Sequence, residues 1–152
     1  MPEPARSPVP EGMSTVTPHL WFAGDCAKAI EFYEQALGAT LDSDPIPAPD
    51  GTGVWHAMLR IGDSNVMAAD TTGEKAEAGP AGRTTVGFFL YVDDCDAWYE
   101  RAVAAGCEVV DPIADMFWGD RVGKVRDPFG HVWAFATHKW VYSDEEMAAA
   151  MS

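Results

Sequence analysis

A chain of 152 residues with 47 % apolar side chains, six Trp and seven Phe among them, can fill one core or two small modules that share one. Its formal net charge of −14 repels phosphate backbones and anionic lipid, which excludes nucleic acid and membrane surfaces as partners. The three cysteines, Cys26, Cys95 and Cys107, are odd in number and lack zinc-site spacing, so thiols tucked into a core in a reducing, cytoplasmic compartment are expected.

Residues 1–13 hold four prolines and no apolar stretch, and read as a disordered tail rather than an export signal, with Met13 as an alternative start. No apolar run approaches the ~18 residues of a membrane span. Val16 to Phe22 suits a strand. Asp25 is placed to cap a helix over Ala27 to Leu37, where Ile30, Tyr33 and Leu37 recur at helical spacing, and Gly38 stops it. Thr40-Leu41 begins a second strand, and the proline-rich stretch Asp42 to Gly53 reads as loop. Val54 to Ile61 and Asn65 to Ala69 then form strands around the turn Gly62-Asp63-Ser64. This gives a first βαβββ module over residues 14–70.

Residues 71–83 read as a linker, after which the pattern restarts over 84–140. Val86 to Val92 is a strand, Asp94 a cap, Asp96 to Ala105 a helix and Gly106 its stop. Glu108 to Val110 is a strand that gives way to a loop at Pro112. Val122 to Arg126 and His131 to Ala136 flank the turn Asp127-Pro128-Phe129-Gly130. Superposing Asp25 on Asp94 exposes an internal repeat of about 69 residues, present twice, which predicts two paired modules rather than a solenoid. Residues 141–152 form a helical tail, with Ser143 and Glu146 spaced as a capping box.

Four segments in this order, TPHLWFAGDCAKAIEFYEQALGA, WHAMLRIGDSNVMAAD, FFLYVDDCDAWYERAVAAGCEV and GDRVGKVRDPFGHVWAFATH, resemble the PhnB-like branch of the glyoxalase/bleomycin-resistance/dioxygenase proteins, the vicinal oxygen chelate superfamily. The resemblance implies an α+β fold in which two βαβββ modules form an incompletely closed, eight-stranded sheet around a cavity, commonly in a homodimer. It also implies four metal-ligand positions. Counted seven residues back from the two capping aspartates, two of them fall on Pro18 and Gly87, and the last strands supply Met67 and Ala134. None of the four offers the imidazole or carboxylate that a hard or borderline divalent cation needs. The expectation is therefore that the chain holds no metal.

Individual side chains sharpen this reading. His19 lies one position from a ligand slot, and a one-residue shift would turn it toward the helix layer. His131 alternates with Trp133 and Phe135 and belongs under a helix, whereas His138 sits near a strand end. Between Val54 and Ile61, Trp55, Ala57, Leu59 and Ile61 make an apolar face, and His56, Met58 and Arg60 make the opposite one, toward the cavity. His56 is then a ligand contact, a general base, or an ordinary strand histidine. Asp70 is placed to pair with His56 or Arg60, or is a plain turn carboxylate. Arg60, Arg121, Lys124 and Arg126 all sit on the hairpins, where they form either a positive pocket or a rim of ion pairs. Trp55, Phe117 and Trp118 add aromatic surface suited to a planar ligand.

The function these residues predict is metal-free binding of an anionic or conjugated small molecule, with His56, Met58, Arg60, Met67, Asp70, Trp118 and Lys124 as ligand contacts. The alternative is a glyoxalase- or dioxygenase-type enzyme with a divalent metal held by non-standard ligands, or with His56 as acid/base. A dimeric scaffold without a ligand is a third reading.

Overall fold

The computed structural model describes residues 1–74 and 77–152. Lys75 and Ala76, within the expected linker, lie outside the described residues. The first module comprises β1 (His19–Phe22), α1 (Cys26–Leu37), β2 (Thr40–Leu41), β3 (Ile46–Pro47), β4 (Val54–Ile61) and β5 (Ser64–Asp70). The second comprises β6 (Gly87–Tyr91), α2 (Cys95–Ala105), β7 (Glu108–Asp115), β8 (Asp120–Arg126) and β9 (Val132–His138), followed by α3 (Asp144–Met151). Each module makes its own sheet, ordered β1-β5-β4-β2 with β3 beside β4, and β6-β9-β8-β7. In both, the first strand runs parallel to the last, and the remaining pairings are antiparallel. The repeat read from the sequence is therefore a repeat of topology, and the sheets stay open.

Several boundaries differ from expectation for physical reasons. The first strand starts at His19, not Val16, which is 81 % exposed beyond it. The stretch 42–53 is not all loop, because Ile46-Pro47 pairs across a bulge with β4. Pro112 does not end its strand: β7 is an edge strand with an irregular register around that point, so a missing N–H can be tolerated there. Asp25 occupies the cap position of α1 but its side chain makes no capping bond. Asp70 takes that role, its Oδ1 accepting from Gly24 N at 2.9 Å and Cys26 N at 3.0 Å. Asp70 Oδ2 accepts from Val54 N at 2.9 Å, and a Cβ on Gly53 would stand only 2.5 Å from that oxygen. In the second module Asp94 does cap α2, accepting from Ala97 N. Thr137 Oγ1, on the last strand, accepts from Cys95 N. Ser143 and Glu146 form the expected capping box. All three cysteines are free and buried, and burial pushes the thiols of Cys26 and Cys107 up to about 12.

Alternation decides which face of each strand is covered. Leu20, Phe22, Ala57 and Leu59 of the first sheet and Val125, Trp133 and Phe135 of the second join α1 and α2 in one continuous core. The two sheets thus turn their helix-side faces inward to a shared layer, and their other faces outward. Asp127, 3 % exposed in the β8–β9 turn, fastens the modules together. It accepts from Tyr33 Oη on α1 at 2.5 Å, Trp133 Nε1 at 2.9 Å, Phe129 N at 2.9 Å and His131 N at 3.0 Å. His131 Nε2 then reaches across to the Trp21 carbonyl at 3.2 Å, as the donor.

Burial first, and the Asp127 carboxylate second, push the Tyr33 hydroxyl well above the usual tyrosine range. A raised value means that the neutral phenol stabilises the fold at pH values below the unfolded tyrosine pKa of about 10, and that this stability is lost in alkali above it. Tyr33→Phe is expected to lower the unfolding free energy by about 1–3 kcal/mol near neutrality, the cost of depriving a buried carboxylate of one donor. The gap to wild type should narrow above pH ~10 in urea titrations; an unchanged midpoint at pH 7 would remove Tyr33 from this role.

Candidate ligand site

β4 and β5 carry the first sheet's outward face. Met58 lies opposite Met67, and His19 on β1 is level with Met67. One row further, Trp21 is level with Ala69, which neighbours His56. His19, Trp21, His56, Met58, Arg60 and Met67 therefore share one face. This corrects the expected direction of His19: Leu20 and Phe22 are the core residues of β1, at 2 % and 1 % exposure, so His19 and Trp21 must point away from the helices.

The His19 ring stacks on Trp21 with 4.0 Å between centroids and meets His56 edge-on at 6.4 Å. Burial, then the neighbouring His56, lower the His19 pKa, so it is a neutral imidazole. Its Nε2 is the one buried side-chain nitrogen or oxygen among the described residues without a hydrogen-bond partner. Buried polar atoms are satisfied in the great majority of cases, so this exception asks for a partner from outside the chain.

Three other expectations are corrected. Asp70 pairs with neither His56 nor Arg60, because both its oxygens are occupied by backbone N–H groups. Trp55 is not part of the covered face; near the start of β4, it is 63 % exposed. The four hairpin cations do not form one positive pocket. Arg121 binds Asp96 at 2.9 Å and Asp115 at 3.2 Å, Lys124 binds Asp111 at 2.9 Å, and Arg126 meets Glu108 at 3.6 Å, all within the second module. Arg60 alone of the four has no carboxylate partner among the described residues, and it is exposed.

Trp118 and Lys124 lie on the outward face of the second sheet, so one chain does not bring them together with His56 and Arg60. Two grooves on the surface do not join these sets. One, of about 810 Å³, runs between the Gly62–Ser64 turn and the β6–α2 segment and is lined by Asp63, Asp93 and Asp94 with no Lys or Arg. The other, of about 710 Å³, touches His19, Trp21 and Trp55 but is otherwise acidic, with Asp50, Glu74 and Glu77. Neither of them includes Arg60.

The donor set does not fit a divalent metal. The outward face offers two imidazoles and two thioethers, the Asp70 carboxylate is spent on the backbone, and among the described residues no three His, Cys, Asp or Glu side chains are grouped to hold an ion. Cys26 and Cys107, buried and with thiol pKa values raised by that burial, are poor nucleophiles.

The sequence reading passed over Asp120, Tyr91 and the partner of His138, which meet on the second sheet. A signal was present. Strands antiparallel about the turn at 127–130 place Arg126 opposite Val132, and counting outward puts Asp120 opposite His138.

Residues 16–135 match the model of the glyoxalase/bleomycin resistance protein/dioxygenase superfamily. The chain is 39 % identical over 142 residues to an uncharacterized protein of Mycobacterium bovis, covering 90 % of this chain and 91 % of that one. Among solved structures, TioX from Micromonospora sp. ML1 aligns with a TM-score of 0.62 at 34 % identity, over 81 % of this chain and 98 % of TioX. The PhnB protein of Bacillus cereus shares the fold, with a TM-score of 0.64 over 82 % of this chain and 99 % of its own, at 13 % identity. The chain belongs to the glyoxalase/bleomycin resistance protein/dioxygenase superfamily.

Proposed function

We propose that this protein binds a small organic anion with a planar or conjugated part, without a metal, on the outward face of the first sheet. The observation that carries the proposal is the gathering of His19, His56 and Arg60 on one face with no carboxylate partner among the described residues, in a chain of net charge −14. A protein with so many carboxylates that leaves a strand guanidinium unpaired has kept it available for a ligand. The roles divide by chemistry. Arg60 meets the anionic group, the neutral His19 takes a donor at Nε2, and Met58, Met67 and Trp21 supply a polarisable apolar floor.

This face is open in a single chain. A second copy, laying its second sheet over the first sheet of its partner, would turn it into an enclosed cavity and bring Trp118 and Lys124 to the same ligand. The exposed residues Trp55, Phe89 and Tyr91, at 63 %, 49 % and 64 %, are the surface such a homodimer would cover.

Because Arg60 is exposed and unpaired, Arg60→Ala should leave thermal stability nearly unchanged. It should weaken binding of an organic acid by about 2 kcal/mol, the scale of a charge-assisted hydrogen bond. Thermal-shift screening of a panel of organic acids against both proteins reads this directly, and acids that stabilise both equally would contradict it. Protein purified without chelator should carry well under one equivalent of Ni, Zn, Mn or Fe per chain by elemental analysis. One tightly held metal per chain, lost in His19→Ala or His56→Ala, would instead support an enzyme with a non-standard metal site.

A further inference from the structure

The segment that joins the modules is anchored to both of them. Thr71 Oγ1 donates to the Glu77 carbonyl at 3.2 Å, and Thr84 Oγ1 donates to the Val86 carbonyl at 3.1 Å as the chain enters β6. Between these points the chain presses on each module in turn. A Cβ on Gly79 would stand 3.1 Å from Ala23 N, just past β1, and a Cβ on Gly130, in the β8–β9 turn, would stand 2.8 Å from Pro80 Cβ. Residues 78–86 are thereby held alongside β1. A crevice of about 490 Å³ lies between the two, within the ~300–1,000 Å³ usual for small-molecule sites.

Two properties distinguish this crevice. One is the open edge of β1. Met67 N donates to the Pro18 carbonyl and Thr71 N to the Phe22 carbonyl, and a parallel ladder uses every second residue, so Pro18, Leu20 and Phe22 face β5. The backbone groups of His19 and Trp21 therefore point away from β5, on the side where His131, itself a wall of the crevice, donates to the Trp21 carbonyl. The N–H groups of His19 and Trp21 remain as donors on that edge. The other property is charge. Three other grooves are lined by Asp63, Asp93 and Asp94, by Asp50, Glu74 and Glu77, or by Glu108 and Asp127, whereas no Asp or Glu lines this one. Its guanidinium, from Arg83, is exposed and has no carboxylate partner among the described residues.

We propose that this crevice binds the carboxylate of a flat organic monoanion, an aromatic acid, between Arg83 and the N–H groups of the β1 edge, with its ring against Pro80 and Phe88. Guanidinium and backbone N–H are both donors, so a carboxylate can turn one oxygen to each. Pro80, Val86 and Phe88 offer the apolar surface that a planar body needs. One guanidinium matches one carboxylate, whereas a phosphate dianion would bring an uncompensated charge to a chain of net charge −14. The crevice uses Arg83 and the backbone of His19 and Trp21, and leaves their side chains on the outward face with Arg60. Either site can therefore fail without the other.

The test follows the His19 and Trp21 backbone amides by heteronuclear NMR as benzoate is titrated into the full chain. Benzoate is expected to shift one or both resonances saturably, and methyl benzoate, the same ring without the charge, is not. Arg83→Ala should raise the midpoint about tenfold or more, the scale of a lost charge-assisted hydrogen bond, and the exposed position of Arg83 keeps the variant folded. Arg60→Ala should leave the midpoint within about twofold, well under that scale. A midpoint unchanged in Arg83→Ala, a midpoint raised in Arg60→Ala instead, an equal response to methyl benzoate, or no saturable shift would each overturn the proposal.

Discussion

The buried carboxylate of Asp127 sets the arrangement on which every other feature depends. A charge taken out of water costs several kcal/mol unless hydrogen bonds replace its hydration. Here four donors do so, one of them the Tyr33 hydroxyl of the other module. Satisfying Asp127 therefore requires α1 to sit against the β8–β9 turn, and that contact draws both helices and both covered sheet faces into a single core. With the modules joined on their helix sides, the remaining face of each sheet has nowhere to point but outward.

The modules share a topology but use charge differently. In the second sheet Arg121, Lys124 and Arg126 are each tied to an aspartate or glutamate of their own module. In the first sheet Arg60 shares a face with two imidazoles and has no carboxylate within salt-bridge distance among the described residues. Three aspartates that a sequence reader would count as solvated charge are instead structural acceptors. Asp70 starts α1, Asp127 joins the modules, and Asp120 orders His138.

Much of this was legible in the residues. The repeat, the helix at Ile30, Tyr33 and Leu37, and the split of β4 into a covered and an open set follow from periods of 3.6 and 2, which are local properties. The capping box at Ser143 is equally local. What was not legible depends on distant partners. Asp70 looks like a turn residue until Gly24, Cys26 and Val54 are brought to it by three separate segments. Pro112 reads as a strand breaker unless β7 is known to be an edge. A ligand slot at Pro18, outside the strand, gives the wrong face for His19, whereas Leu20 and Phe22, whose apolar side chains are buried, fix the parity of β1. Asp120 and His138 could have been paired by counting from the turn, but their shared hydrogen bonds to Tyr91 and Trp118 could not.

The proposed binding function stands or falls with a second copy, which must bring the Trp118 face of one chain over the Arg60 face of the other. Light scattering coupled to size exclusion at micromolar concentration tests this most directly. The account requires a mass twice the 16.4 kDa of the chain. A single-chain mass that persists in the presence of a stabilising organic acid would contradict it.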